Sequence, residues 1–143
     1  MKTVALRFAE KFSPEEGTIA AHESIIKKNG YVWYGKMGAV VSDKIIEEIK
    51  ENEEPRILLI HSGHMDRYWA YVEDIKKERP NFEEFPEYYH ATSDNFKTWF
   101  KVIKFEKAER NVLSKCFVAS SGAVLTTASK YSMSPYFIIN YEE

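Results

Sequence analysis

Three aromatic segments carry the side chains best suited to stacking on a flat ligand. They read Tyr31-Val32-Trp33-Tyr34-Gly35, Arg67-Tyr68-Trp69-Ala70-Tyr71-Val72 and Thr98-Trp99-Phe100-Lys101-Val102-Ile103, and they hold all three tryptophans. A small β-rich domain needs large rings to fill its core, so most of these must pack. Aromatics nevertheless make up 15% of the chain, more than such a core requires, and several stand at segment ends beside Gly, Ser and Lys. That arrangement suits a pocket that stacks on a nucleobase.

Reading one base takes flat π surfaces on both sides and a few polar groups at its edge. Stacking contributes roughly 1–3 kcal/mol per base, and a methyl-sized modification adds about 0.8 kcal/mol. Extracting a base from a duplex costs a few kcal/mol, so two rings are needed where one falls short. Trp33 is the first candidate wall, because strand alternation sends it opposite to Val32 and Tyr34. Its alternative is a core ring beneath the first helix. Tyr88 or Tyr89, beside Pro86, is the candidate second wall, with an ordinary loop anchor as the alternative. Tyr34 and Trp99 complete the aromatic set, although Trp99 and Trp69 head central segments and also read as core.

Small polar groups and lysines supply the rest. Ser62 with Gly63 can reach a base edge, and Ser120 with Ser121 a phosphate, through hydroxyl or backbone N–H. Turn chemistry explains these residues equally well. Lys36, Lys97 and Lys101, with Lys104, form a candidate basic rim for phosphate, the alternative being a solvated strand face.

Catalytic patterns are thin by comparison. His61-Ser62-Gly63-His64 places two imidazoles three residues apart with Asp66 close by. A metal site needs three or four convergent ligands, and no further His or Cys run accompanies them. Cys116, in Lys115-Cys116-Phe117, reads as a buried thiol rather than a nucleophile. No Gly-rich phosphate loop occurs. The expectation is a domain without catalysis, metal or cofactor.

These residues need a scaffold. At 143 residues with 44% hydrophobic side chains, the chain supports one domain, residues 1–143, around one core. A net charge of −2 argues against tight non-specific binding to DNA or RNA, though not against a local basic face. The single cysteine excludes an internal disulfide and fits a reducing cytoplasm. No apolar run approaches a membrane span, and no signal peptide is evident.

The element order follows from local signals. Thr3 to Ala9 reads as a strand, and Ser13-Pro14-Glu15-Glu16 as a helix start, with Thr18 as the rival cap. Ile19, His22, Ile25 and Ile26 share one helical face, which Asn29-Gly30 ends. Ser42-Asp43 caps a second helix with Ile45, Ile46 and Ile49 inside. Arg56 to His61 and Arg67 to Ile75 read as antiparallel neighbours across a Ser62–Asp66 turn. Lys76 to Asn95 holds two prolines and five acidic residues, too long for a structureless connection, and reads as a functional loop. Thr98 to Glu106, Lys115 to Ala119 and Tyr136 to Tyr141 complete the strands, with Ser120-Ser121-Gly122 as a turn. The expected fold is α+β: a small, mixed, partly closed β-barrel of five to six strands with two or three helices, lacking a βαβ rhythm.

This order of segments resembles the PUA-like superfamily, and within it EVE domains and their YTH relatives. The resemblance rests on Val32-Trp33-Tyr34-Gly35 after the first helix, and on Ile57-Leu58-Leu59-Ile60-His61-Ser62 followed by Trp69-Ala70-Tyr71-Val72-Glu73. It continues through Pro86-Glu87-Tyr88-Tyr89 to Asp94-Asn95, Trp99-Phe100-Lys101-Val102 and the final Ser132-Met133-Ser134-Pro135. It implies a non-catalytic reader of a modified base in DNA or RNA, of the kind that stands alone or precedes the motor of McrB-type restriction systems. The implied partners are a modified nucleic acid and a fused or associated effector. The last strand's closeness to Glu143 is compatible with such an effector beyond it. Phe8-Ala9-Glu10-Lys11-Phe12 lacks the asparagine-containing segment with which YTH domains read adenine. Two other readings fit the chain: a protein-interaction module using the acidic 76–95 loop, and a small-ligand sensor holding a free nucleobase or nucleotide.

Overall fold

The computed structural model describes residues 1–8, 17–61, 66–132 and 134–143. The expected helix start at Ser13-Pro14 and the turn that carries Ser62, Gly63 and His64 lie outside the described residues. In chain order the elements are β1 (Lys2–Phe8), α1 (Thr18–Asn29), β2 (Val32–Met37), α2 (Asp43–Lys50), β3 (Arg56–His61) and β4 (Arg67–Lys76). Two 3₁₀ segments, Phe82–Glu84 and Glu87–Asn95, lead into β5 (Phe96–Lys107). A 3₁₀ turn at Val112–Lys115, β6 (Cys116–Val118), α3 (Leu125–Tyr131) and β7 (Tyr136–Tyr141) complete the chain. No helix among the described residues is long and apolar enough to cross a membrane.

Local chemistry accounts for the first two helices. Ser42 Oγ accepts from the Ile45 N–H at 3.3 Å, the N-cap bond expected of it, and Ile45, Ile46 and Ile49 are buried. Gly30 ends α1 at φ +85°, a conformation cheap only for glycine, and its N–H donates to the Ile26 carbonyl at 2.7 Å. The 76–95 region, read as a loop, begins with the last residue of β4 and holds the two 3₁₀ segments Phe82–Glu84 and Glu87–Asn95. Glu84 holds them in place: its carboxylate accepts from the Asn81 N–H at 2.8 Å and the Tyr31 hydroxyl at 2.6 Å.

Seven strands form one sheet in the order β2-β5-β4-β3-β1-β7-β6. β3 and β4 are antiparallel, with Leu58 opposite Trp69. One parallel pair, β1 with β3, stands among antiparallel ones. The chain's first and last strands pair deep in the sheet, Ala5 lying opposite both Leu58 on β3 and Phe137 on β7. The central strands are apolar on both faces. One face (Val4, Leu6, Ile57, Leu59, Phe100) packs under α1 and α2, and the other (Leu58, Trp69, Phe137, Ile139) against Leu125 of α3 and the Val112–Lys115 turn.

The sheet has seven strands where five to six were expected, and it curls without closing on itself. In a flat sheet β2 and β7, five strand spacings apart, would be separated by roughly 24 Å. Here the Lys36 Nζ of β2 sits 4.4 Å from the ring centroid of Tyr136 on β7. The strands that face β2 already have neighbours on both sides, β1 pairing with β3 and β7 and β7 with β1 and β6, and among the described residues β2 is hydrogen-bonded only to β5. A cleft lies between the facing strands instead.

Candidate functional site

That cleft widens into a cavity of about 590 Å³. β1 supplies Leu6, Arg7 and Phe8, and β2 supplies Tyr34, Gly35, Lys36 and Met37. Thr18 comes from the start of α1, Tyr88, Tyr89 and Thr92 from the second 3₁₀ segment, Phe96 from β5, and Pro135 precedes β7. The volume falls in the range of small-molecule and cofactor clefts.

Its aromatic wall is assembled from three elements. Tyr89 lies edge-on to Tyr88 at 4.7 Å and to Phe96 at 4.8 Å between ring centroids. Gly35 makes this possible, since a Cβ there would meet Phe96 Cδ2 at 2.5 Å. Its lack of a side chain lets the Phe96 ring lie across β2. Burial pushes the Tyr89 hydroxyl well above the ordinary tyrosine value, and the hydrogen-bonded hydroxyls of Tyr34 and Tyr88 add to the effect. The hydroxyls of the three tyrosines thus meet in one cluster around Tyr89.

His22 backs this cluster. Its ring is wholly buried, 5.0 Å from the Tyr34 ring and 5.2 Å from that of Tyr89. Nδ1 contacts the Thr18 carbonyl at 2.8 Å; a carbonyl only accepts, so Nδ1 carries the proton. Nε2 has no partner, and burial lowers the ring's pKa from 6.5 to about 4 despite the Thr18 bond. The imidazole is therefore neutral at physiological pH.

Two cations line the same cavity. Lys36, only 7% exposed, donates to the carbonyls of Ala39 at 2.5 Å and Met37 at 3.3 Å, and burial lowers its pKa. Arg7 reaches toward α3, where Nε donates to the Ser134 carbonyl at 3.3 Å and Nη2 to those of Ser129 and Ser132 at 3.0 and 3.2 Å.

The residues singled out in the sequence separate into two groups. Tyr34, Tyr88, Tyr89 and Lys36 meet at the cavity. Trp33 and Trp99 do not line it. They are buried in an adjoining cluster with Phe85, Tyr89 and Phe96, where the Lys76 ammonium covers the Trp33 ring at 4.4 Å. Lys101 pairs with Glu73 at 2.9 Å, and Lys97 donates to the Asp94 carbonyl at 3.4 Å. Ser120 and Ser121 stand in the turn after β6, where Ser121 Oγ accepts from the Ala123 N–H at 3.2 Å. Neither those lysines nor those serines line the cavity, and Ser62 lies outside the described residues.

Sequence reasoning missed Arg7, Phe8, Thr18, Gly35 and Phe96. One signal was present for Arg7: it is the lone charged residue between Thr3 and Phe8, in a strand otherwise apolar enough to be buried. The expected alternatives to binding also have places. Cys116 is buried, and burial pushes its thiol up to about 12, leaving little nucleophilic thiolate at neutral pH. Among the described residues, no group of three or more His, Cys, Asp or Glu side chains converges on a point that could hold a metal.

The fold is a curled α+β sheet with an aromatic cavity at its unjoined edge. A family model described as Pua-like matches residues 4–140, and the chain belongs to that PUA-like family. PUA-like domains commonly bind nucleic acids or ligands. Neither the curated proteins nor the solved structures hold a match to this chain.

Proposed function

We propose that this PUA-like domain is a non-catalytic, EVE-type reader of a modified base, taking one flipped or unpaired base of DNA or RNA into the cavity. The observation that carries the reading is the wall of Tyr34, Tyr88, Tyr89 and Phe96 facing Phe8 and Leu6 across the unjoined strands. Rings on one side and apolar side chains on the other suit a flat guest, and tyrosine hydroxyls can hydrogen-bond its edge. Trp33 and Trp99 act from behind, fixing Tyr89 and Phe96. In a restriction or defence system, such a domain would direct a fused or associated effector to modified sites.

Fluorescence anisotropy with labelled DNA and RNA oligonucleotides tests this. The panel carries unmodified bases, N6-methyladenine, 5-methylcytosine or 5-hydroxymethylcytosine. Preference for one modified oligonucleotide, weakened about tenfold or more by Tyr88→Ala through loss of stacking, is the expected result. Equal, weak binding across the panel, unchanged in Tyr88→Ala, would overturn it. The cavity's volume also favours a second reading, a sensor of free nucleobases or nucleotides. Equal affinity for a free nucleoside and for the oligonucleotide carrying it would select that reading.

A further inference from the structure

The cavity has an apolar lip. Leu6, Phe8, Tyr34 and Phe96 line it and are nevertheless buried, so lining it opens a side chain little to solvent. Met37, Thr92 and Pro135 line it too and are exposed. That places its mouth between the end of β2, the second 3₁₀ segment and the residue before β7. Met37 is 52% exposed, and Val40, three residues on, is 47% exposed. Large apolar side chains in solvent beside a binding cavity gain from being covered.

The loop that carries these two side chains is braced. Lys36 Nζ donates to the carbonyls of both Met37 and Ala39, at 3.3 and 2.5 Å, and draws the turn together. Gly38 lies between those residues at φ +82°, a left-handed conformation that glycine enters cheaply. Beyond Val40 the chain is fixed again. Val41 is buried, its N–H donates to Thr98 Oγ1 at 3.0 Å, and Ser42 caps α2. The result is a rigid apolar projection at the cavity mouth. Its electrostatic setting suits a polyanion. No carboxylate lies between Lys36 and Ser42, and the next one, Asp43, pairs with Lys77 at 2.6 Å. Exposed Lys97 follows Phe96, the residue opposite Met37 on β5.

We infer that Met37 and Val40 form a wedge that enters a nucleic-acid duplex beside the base drawn into the cavity, stacking where that base had been. The inference rests on the base-reading proposal and narrows its substrate to double-stranded nucleic acid. Removing a base from a duplex leaves its neighbours unstacked, and an apolar side chain inserted in the gap offsets that loss. Methionine suits the task, being unbranched, with a sulfur that makes favourable contacts with aromatic rings. The Lys36 brace orders the loop beforehand, so insertion loses little chain entropy. A base that is already unpaired leaves no such gap, and there the wedge has little to fill.

The test uses the full chain and the panel of unmodified and modified oligonucleotides, each offered as a single strand and as a duplex. Met37→Gln should lose roughly tenfold more affinity for the preferred modified duplex than for the matching single strand, the worth of burying that side chain. Val40 does not line the cavity, and Val40→Thr nearly keeps its shape. That variant should shift the same duplex-to-single-strand ratio in the same direction by a smaller factor, which guards against a misfolded loop in Met37→Gln. The NMR resonance of the Met37 ε-methyl group should move further upfield, under the ring currents of flanking bases, with duplex than with single strand. Equal losses on duplex and single strand in both variants make the lip a plain wall of the cavity and overturn the wedge. Unchanged binding in both variants, with the modified base still preferred, overturns it too. In either case the base reading stands. A native chain with no preference across the panel overturns the base reading and the wedge together. Self-association of that chain in sedimentation, lost in Met37→Gln, would then identify the lip as a contact between two copies.

Discussion

Two aromatic clusters lie side by side in this domain, and they differ in kind. The sealed one joins Trp33, Phe85 and Trp99 beneath the 3₁₀ segments, with Trp99 and Phe85 almost wholly buried. The open one joins Tyr34, Tyr88 and Tyr89 to His22 at the cavity. Tyr89 and Phe96 belong to both, so the sealed cluster is the rear support of the open one. The comparison separates size from accessibility. Tryptophan brings the larger apolar surface and is drawn into packing, whereas tyrosine, with a polar tip, is stable at a boundary between core and cavity. Each cluster also holds one unpartnered ring nitrogen, Trp99 Nε1 in the first and His22 Nε2 in the second.

The largest effect should come from the sealed side. Trp99→Ala empties a fully buried site and should cost about 3–5 kcal/mol in chemical denaturation. Trp99→Phe should cost much less, because it removes the unpartnered N–H along with part of the volume. If the two variants were equally destabilising, Trp99 would not be a packing residue of this kind.

His22 sets the next effect. Its folded pKa is about 4, below the 6.5 of the unfolded chain, so the unfolded state binds more protons between those values. Stability from this group is fully present above pH 6.5 and is lost as pH falls toward 4, by about 3 kcal/mol in all. Urea unfolding between pH 4 and 7 should show that slope, and His22→Gln should flatten it. A native chain with no slope in this range would show that the ring is not held neutral.

Gly35→Ala probes the join between the clusters. The added Cβ displaces Phe96, and overpacking of this type costs about 1–3 kcal/mol. Because Phe96 faces both ways, ligand affinity should fall along with the thermal midpoint. A change in stability without any change in affinity would place the ligand elsewhere. Tyr88→Phe is the mildest probe. It removes the hydroxyl bonded to Tyr89 and keeps the ring, so it should cost about 1 kcal/mol of stability. Stacking affinity should be retained, in contrast to Tyr88→Ala.

Where sequence alone was sufficient, the determinants were local. Ser42 and the Ile45, Ile46, Ile49 spacing specify α2 within one turn of chain, and the apolar run Arg56–His61 is β3 to the residue. α3 escaped notice because Leu125-Thr126-Thr127-Ala128-Ser129-Lys130-Tyr131 is short and Val124 offers no side-chain cap. Its stability is tertiary, from buried Leu125 and from Arg7 holding its last carbonyls. Alternation correctly separated Trp33 from Val32 and Tyr34. Which side would face the cavity depended on β1 pairing with both β3 and β7, and no local pattern encodes that. The cavity is a product of that topology, and its β1 wall was legible only as one arginine out of place.

The pairing of β1 with β7 also imposes an order of events during synthesis. Lys2 pairs with Asn140 and the Met1 amino group donates to the Tyr141 carbonyl at 3.0 Å, so β1 waits for a partner more than a hundred residues further along the chain. Until β7 leaves the ribosome, β1 keeps an apolar edge that can recruit a strand from another chain. The same delay applies to Pro135, which closes one side of the cavity. A nascent chain would therefore have most of its sheet before this cavity was closed on the Pro135 side.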